Sequence, residues 1–425
     1  MLLLASATNA PSPWMIIPFV VMLLAIALMP FLHAPWWEKH YAKLAVGLGL
    51  FTAGYYVIFL RDGAHMLEVA HEYISFIALI GSLYIVAGGI HIRVRGESTP
   101  LRNTLFLATG ALLANFIGTT GASMLMIRPW IRMNKYRVTA FHVVFFIFIV
   151  SNAGGALTPI GDPPLFLGFL RGVPFFWSVA HLWPAWAFLL GGLLAVFYLL
   201  DRINFARAPE VVRELETGYE KFAVDGQRNF FFIAMILAAV FFPSPWRELL
   251  MAGAAAGSWA LTPRPVHDSN HFSFHPIKEV AWLFFGIFGT MVPALDYLQI
   301  HADQLGISTP VEFYAVTGLL SSCLDNAPTY LTLLAAALGQ QALSLKSEAD
   351  VALFAAEHAA TLAAISLGAV FFGAATYIGN GPNFMVKSIC EHAKVRTPSF
   401  FDYIIRYTFL ILAPLLALVA WLFLA

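Results

Sequence analysis

The amino-acid sequence predicts an all-α polytopic membrane protein with about 10–11 transmembrane helices plus two re-entrant hairpins. Hydrophobic residues fill 60% of the 425 positions and charged residues 11%, whereas soluble domains carry about a quarter charged residues. Apolar runs approach the roughly 20 residues that a membrane span needs. Two other apolar stretches are interrupted by small and polar residues. This composition excludes an ordinary soluble domain.

The apolar runs give the order of the predicted helices. They occur at residues 14–32, 43–60, 74–92, 139–155, 181–200, 229–243, 246–262, 279–297, 351–372 and 404–425. The two interrupted stretches lie at residues 103–133 and 311–341. Runs shorter than a full span must tilt or begin in the flanking residues.

The basic residues predict how the chain is oriented. If Arg61, Arg171, Arg247 and Lys346 lie outside, the other Lys and Arg residues fall on one face, which the positive-inside rule makes cytoplasmic. Both termini then lie outside, as expected for a multi-pass protein of the inner membrane. The segments of the cytoplasmic face are 36–43, 93–102, 128–137 and the charged linker 201–228, which we expect to be a surface helix.

The same charge pattern predicts the hairpins. The stretch 103–133 has cytoplasmic basic clusters on both sides, so it must enter and leave the membrane by that face. The stretch 311–341 lies between acidic loops and is predicted to enter from the outside.

Short motifs recur in the same order in the two halves of the chain. TTGAS at 119–123 corresponds to DNAPT at 325–329, and TPIGD at 158–162 corresponds to TYIGN at 376–380. Glu72 and Glu279 each open a span that precedes these motifs. Because the halves have opposite predicted orientations, the pattern indicates an inverted repeat, which is typical of secondary transporters.

Two spans are predicted to break inside the membrane. The segment SNAGGALTPIGDPPLF at 151–166 and the segment GAATYIGNGPNF at 373–384 contain Gly and Pro residues that helices resist. Unpaired backbone groups are tolerated at membrane depth only where they face protein or a cavity. The freed carbonyls could therefore coordinate a small ion.

Two acids are the first candidates for ion binding. Asp162 lies in the first break and Asp325 at the tip of the second hairpin. An ionisable residue at such depth is costly and marks a functional site by default. The alternative is a structural acid that hydrogen-bonds the backbone ends of its own break.

Neutral oxygens cluster at the same four interruptions. Hard cations such as sodium prefer carbonyl, hydroxyl and carboxylate oxygens. These residues are therefore candidate ligands for sodium or for a proton that binds at the same place. The alternative for any one of them is an interhelical hydrogen bond. They are Thr119, Thr120, Ser123, Asn152, Thr158, Asn326, Thr329, Thr376, Asn380 and Asn383.

Several other classes of function are not indicated. The sequence has no nucleophile motif, cofactor fingerprint or P-loop, so we expect no enzyme activity, no bound cofactor and no direct use of ATP. A net charge of zero gives no support to a nucleic-acid partner. Cys323 and Cys390 have no metal or disulfide spacing. The expected partners are membrane lipid and a transported inorganic cation.

The motifs SNAGGALTPIGDPP, LDNAPTYLTLL and TYIGNGPNFMVKSI resemble the ion transporter superfamily, in particular NhaD- and NhaE-type sodium/proton antiporters and citrate-transporter-like proteins. The resemblance implies a dimer, a scaffold domain, and a transport domain that moves by an elevator mechanism. The predicted division is 1–71 for scaffold helices, 72–200 for the first repeat, 201–228 for the linker, 229–278 for further scaffold helices, 279–400 for the second repeat and 401–425 for the last helix.

One departure from the resemblance bears on the substrate. Dicarboxylate carriers of the superfamily use Ser-Asn-Thr at both tips, whereas this chain has Asp325-Asn326-Ala327 at the second. A fixed anion there repels a carboxylate by about 4 kcal/mol at about 4 Å and an effective dielectric near 20. This favours sodium or lithium exchange for protons. The alternative is a sodium- or proton-coupled carrier of citrate or another organic anion.

Overall fold

The computed structural model describes residues 11–93, 98–211 and 223–425, and these are mostly helical. The first ten residues, four residues of the basic segment 93–102 and the part of the linker from 212 to 222 lie outside the described residues. The helices are α1 Ile17–Leu32, α2 Ala34–Ile58, α3 Gly63–Gly88, α4 Pro100–Met133, α5 Ala140–Ile149, α6 Pro163–Leu170, α7 Trp177–Arg207, α8 Asn229–Ala239, α9 Trp246–Leu261, α10 Arg264–Ser269, α11 His275–Ile300, α12 Pro310–Cys323, α13 Asn326–Gln340, α14 Glu348–Glu357, α15 Ala359–Phe372, α16 Gly381–His392 and α17 Phe400–Phe423.

The number of full-length spans is lower than predicted. By length and composition, 8 helices of the described residues could cross a membrane, or 9 if a bent pair counts as one span, and this number includes α4, which folds back on itself as described below. The bent pair is α14 and α15, which replace the predicted span 351–372 and meet at an angle of 100°. The predicted spans 229–243 and 246–262 form α8 and α9, which are shorter than a span because Pro243 and Pro245 separate them.

Two further differences lie on the predicted cytoplasmic face. The segment 36–43 is not a loop but belongs to α2, since only His33 separates α1 from α2. The all-α prediction also missed a short antiparallel pair, β1 His91–Arg93 and β2 Ala223–Asp225. Three-residue strands carry no period-2 pattern long enough to recognise.

The first interrupted stretch is a helical hairpin. Helix α4 has non-helical backbone at Gly118, with φ 74° and ψ 154°, a conformation that glycine adopts readily. Its two arms fold back on each other, because Asn103 Nδ2 donates to Asn134 Oδ1 at 2.8 Å and the rings of Phe106 and Trp130 stack at 5.7 Å. A straight helix would place Asn103 and Asn134 about 46 Å apart. Entry of this hairpin from the cytoplasmic face stays a prediction.

The second interrupted stretch also folds back. Helices α12 and α13 pack together and are joined through Leu324 and Asp325. At the base, the Gln340 Nε2 group donates to the Ile307 carbonyl at 2.7 Å, which closes the two arms. The unbroken helices α3 and α11 lie against the hairpins, α3 on α4 and α11 on α13.

Both predicted breaks are present. Helix α5 ends at Ile149, and a 3-10 turn, Ala153–Leu157, and an extended segment precede α6. Helix α15 ends at Phe372, and the 3-10 turn Gly373–Ala375 and a second extended segment precede α16. The prolines at the starts of α6 and α16 fit the first turn of a helix, where no backbone donor is needed.

Candidate functional site

Asp162 lies where the two hairpins and the two breaks meet. Its carboxylate is 1% exposed and accepts three hydrogen bonds from side chains. Thr119 Oγ1 of the first hairpin donates to Oδ1 at 2.7 Å, and Asn380 Nδ2 of the second break donates to the same atom at 3.0 Å. Asn326 Nδ2 of the second hairpin donates to Oδ2 at 2.6 Å. Four segments that are distant in sequence therefore converge on one acid.

The partners of Asp162 are neutral. A hydroxyl and two amides supply its side-chain hydrogen bonds, and no Lys or Arg of the described residues forms an ion pair with it. A buried charge of this kind is expensive unless it is paired. The site therefore suits a small cation or a proton, either of which would neutralise the carboxylate.

A small cavity adjoins the carboxylate. Its volume is about 20 Å³ and its lining includes Gly118, Thr119, Thr120 and Asp162. A cavity needs roughly 10–15 Å³ to hold one water molecule. The space is therefore large enough for at least one water molecule.

The Asn326 side chain has a free oxygen at this point. Asn326 is fully buried, and its Oδ1 atom has no hydrogen-bond partner, whereas its Nδ2 atom binds Asp162. Leaving a buried amide oxygen unpaired costs about 1–3 kcal/mol. An oxygen that is retained at this cost beside a carboxylate is well placed to bind a cation.

The second acid makes different contacts. Asp325 is partly exposed, and its Oδ1 atom accepts from the Ala327 backbone N–H at 3.0 Å, so it caps the N-terminus of α13. Asp162 also precedes a helix, α6, but makes no cap hydrogen bond there. A structural acid that hydrogen-bonds nearby backbone was the alternative considered for both residues. That description fits the contacts of Asp325 and does not fit those of Asp162.

Three asparagines connect the two breaks. Asn152 Nδ2 donates to Asn383 Oδ1 at 2.7 Å, and Asn380 Nδ2 lies 3.2 Å from Asn152 Oδ1. Asn383 also donates to the backbone carbonyls of Gly373 and Thr376 at 2.8 and 2.9 Å. The structure thus brings Asn152, Asn380 and Asn383 into one network with Asp162, and their predicted role as cation ligands stays a prediction.

The predicted hydroxyl residues lie around this network with differing contacts. Thr158 donates to the Asn115 carbonyl and Thr376 to the Ser322 carbonyl, each at 2.6 Å. Thr329 donates to the Asp325 carbonyl at 2.9 Å, and Ser123 pairs with the Ser151 hydroxyl at 2.7 Å. Thr120 lines the small cavity. Among all the hydroxyl residues that the sequence suggested as ligands, Thr119 alone contacts Asp162. An ion-binding role for the others stays a prediction.

The sequence interpretation missed a second polar cluster, at the base of the first hairpin. Arg137 forms a buried ion pair with Asp201 of α7, whose carboxylate also accepts from Asn103 Nδ2 at 2.8 Å. His142 Nε2 lies 3.1 Å from the same acid. Position alone placed Arg137 and Asp201 in cytoplasmic segments, and nothing in a single sequence indicates that two such residues are buried together.

The His-rich segment 267–275 offers no metal site. Within the described residues, no group of three or more His, Cys, Asp or Glu side chains could hold a metal ion. The two cysteines are unpaired, with Cys323 exposed and Cys390 buried.

The helices and the buried site define the class of protein: a polytopic membrane protein with a polar site built from interrupted helices, an arrangement typical of secondary transporters. Residues 8–424 match the family described as "Putative citrate transport", and the chain belongs to that family. This confirms the resemblance to citrate-transporter-like proteins. A "46 kDa membrane protein" of Mycobacterium leprae is 26% identical over 320 residues, which are 70% of this chain and 72% of the relative.

Proposed function

We propose that this family member exchanges sodium or lithium for protons, with Asp162 as the residue that binds either cation. The observation that carries the proposal is the convergence of both hairpins and both breaks on one buried carboxylate with only neutral partners. Sodium and a proton would compete for this carboxylate, and such competition is what couples two opposite fluxes.

The neighbouring oxygens support a cation ligand set. Asn326 Oδ1 is unpaired and belongs to the amide that contacts Asp162, and the Thr119 hydroxyl oxygen lies on the other side of the carboxylate. We propose Asp162, Asn326 and Thr119 as the inner ligands. Asp325 adds a second negative charge one residue from Asn326, which would strengthen cation attraction by an amount of order 1 kcal/mol or more.

The family description makes an organic anion the second candidate. Sodium bound at Asp162 would neutralise the site and admit a carboxylate, so that citrate or a related anion would enter together with the cation. The description of the family favours this alternative. The neutral partners of Asp162 favour the first.

We propose alternating access by an elevator movement in an inner-membrane homodimer with both termini outside. The helices that begin at the site, α6 and α13, pack against each other and against α3 and α11. Two ion pairs join the ends of α6 and α13 to α3 and α11. Glu72 of α3 pairs with Arg171, which follows α6, at 2.7 Å, and Asp296 of α11 pairs with Lys346, which follows α13, at 3.0 Å. A movement of the site past α3 and α11 would have to break both ion pairs.

Everted membrane vesicles that contain a pH-sensitive dye test the exchange directly. Addition of sodium or lithium to respiring vesicles should restore the dye fluorescence across the neutral to alkaline range, because entering cations drive protons out. Vesicles that hold the Asp162→Asn variant at equal abundance are the control. No response in the wild type, or full activity in Asp162→Asn, would overturn the assignment of Asp162 to cation/proton exchange.

Labelled citrate separates the two candidates. Uptake that requires an inward sodium gradient and that is lost in Asp162→Asn would establish the organic-anion carrier instead. Exchange of sodium for protons without any citrate uptake would establish the antiporter.

A further inference from the structure

We propose that Asn152 and Asn383 are positioning residues that couple the two half-sites and do not bind the transported ion. The inference rests on the proposed function, because it assigns roles within that site. It separates the buried asparagines into two groups. In one group every polar atom is occupied within the protein, and in the other an oxygen is free for a ligand.

The amide of Asn152 is fully used. Its Nδ2 atom donates to the Ile147 carbonyl at 2.8 Å and to Asn383 Oδ1 at 2.7 Å, and its Oδ1 atom lies 3.2 Å from Asn380 Nδ2. The Ile147 carbonyl lies in the last turn of α5, where helical partners are missing. Asn152 therefore pairs a carbonyl that the break has freed and reaches across to the other half of the chain.

The amide of Asn383 is used in the same way. Its Nδ2 atom donates to the carbonyls of Gly373 and Thr376, just after the end of α15, and its Oδ1 atom accepts from Asn152. Each asparagine thus pairs backbone groups freed by a break, and their mutual bond joins positions 231 residues apart. Both side chains are 0% exposed.

Asn326 provides the contrast. It is equally buried, yet its Oδ1 atom has no partner while its Nδ2 atom contacts Asp162. A cation at Asp162 could use this oxygen without breaking any bond. The oxygens of Asn152 and Asn383 each already accept an amide hydrogen bond, which leaves them one lone pair and makes them less available to a cation than the unpaired oxygen of Asn326.

The Asn152–Asn383 bond also positions the site. Asn380 Nδ2 contacts both Asn152 Oδ1 and Asp162 Oδ1, so the link holds the second break against the carboxylate of the first. Loss of either asparagine should let Asn380 shift relative to Asp162, although the Ser151 carbonyl still accepts from Asn380 at 3.2 Å. The carboxylate would then bind its cation less well although every ligand remains present.

A double-mutant cycle in everted vesicles tests this role. Asn152→Ala and Asn383→Ala each remove the bond that the two residues share and two further hydrogen bonds, so each should raise the half-saturating sodium concentration by roughly tenfold or more. The lithium-to-sodium ratio should stay that of the wild type, because neither oxygen touches the ion. The double variant should show a smaller increase than the product of the two single increases, because both changes break the same Asn152–Asn383 bond.

Two matched controls define the roles. Asn229 is an equally buried asparagine far from the site whose amide binds Gly89 and Thr262. Asn229→Ala should lower thermal stability without changing the half-saturating sodium concentration. Asn326→Ala removes a proposed ligand and should change the lithium-to-sodium ratio.

A changed ratio in Asn152→Ala or Asn383→Ala, or additive effects in the double variant, would overturn the proposal. If the wild type shows no sodium response, the proposed function fails, and the cycle is read from thermal unfolding in detergent. Non-additive changes in melting temperature for the Asn152 and Asn383 variants then still support their coupling, and additive changes overturn it.

Discussion

The two breaks have the same backbone arrangement but different charges. In the first, the Thr158 hydroxyl binds the Asn115 carbonyl and the Gly161 backbone N–H. In the second, the Thr376 hydroxyl binds the Ser322 carbonyl and the Gly379 backbone N–H with distances within 0.1 Å of the first set. A hydroxyl that connects the hairpin to the turn is thus common to both halves.

The residue that follows each turn is where the halves diverge. Asp162 and Asn380 occupy the same position before α6 and α16, with extended backbone in both, and neither caps its own helix. Their side chains meet each other at 3.0 Å. An acid therefore faces an amide across the junction of the two halves. A single charge is present where strict repetition would give two repelling carboxylates or none.

The largest expected effect comes from removing that charge. Asp162→Asn should abolish exchange, because a carboxylate at about 4 Å contributes about 4 kcal/mol to cation binding, or roughly a thousandfold in affinity. The measurement is the dye response in everted vesicles. The exchanged pair Asp162→Asn with Asn380→Asp moves the acid to the other half and should recover part of the response. Activity in the single variant equal to the wild type would contradict the central role of Asp162.

The bases of the two hairpins should differ in how much they stabilise the fold. Asp201→Asn leaves Arg137 buried without its counter-charge and should lower the free energy of unfolding by about 3–5 kcal/mol. Gln340→Ala at the base of the second hairpin removes a neutral hydrogen bond, which is worth about 1 kcal/mol. Thermal unfolding in detergent measures both variants. Equal losses would show that the buried ion pair does not set the first hairpin apart.

A methyl group tests how tightly each turn is packed. A Cβ atom added at Gly161 would lie 2.0 Å from the Gly155 carbonyl oxygen, and one added at Gly379 would lie 2.6 Å from the Gly373 carbonyl oxygen. Overpacking costs about 1–3 kcal/mol, and Gly161→Ala should be the worse of the two. The melting temperatures of the two variants compare them, and a reversed order would contradict the closer approach in the first break.

The smallest expected effect concerns the cap of the second hairpin. Asp325→Ala removes the side-chain oxygen that accepts from Ala327 and should cost about 1 kcal/mol, whereas Asp325→Asn should keep the cap almost intact. The pair of variants therefore separates the cap from the charge. Loss of thermal stability in Asp325→Asn equal to that in Asp325→Ala would mean that the negative charge, and not the hydrogen bond, stabilises α13.

Much of the fold could be predicted because its signals are local. The Gly and Pro residues of TPIGDPP and GNGPNF cannot continue a helix, so both breaks were visible in the sequence. The count of full spans was too high because composition does not show that a run such as 351–372 bends sharply at His358.

The candidate site could be predicted in part. The sequence identified Asp162, Asn326, Asn380 and Thr119 as polar residues at interruptions, and in the structure the other three all donate to Asp162. It rested the choice of a cation on the charge of Asp325, whereas in the structure the side-chain donors surround Asp162 and Asp325 caps a helix. Nor did it indicate Asn115, although a lone asparagine four residues before Thr119 in the hairpin is a signal that could have been used.

The sequence by itself determined the membrane class, the positions of the breaks and the residues available for chemistry, because hydrophobicity, helix breaking and polarity are properties of short segments. The folded structure was needed to show which acid accepts hydrogen bonds from three other segments and which acid caps a helix. It also decided that Arg137 and Asp201 are buried together, and that the Asn152 and Asn383 amides join the halves. These pairings depend on contacts between residues up to 231 positions apart, and a single sequence does not encode such contacts in any local pattern.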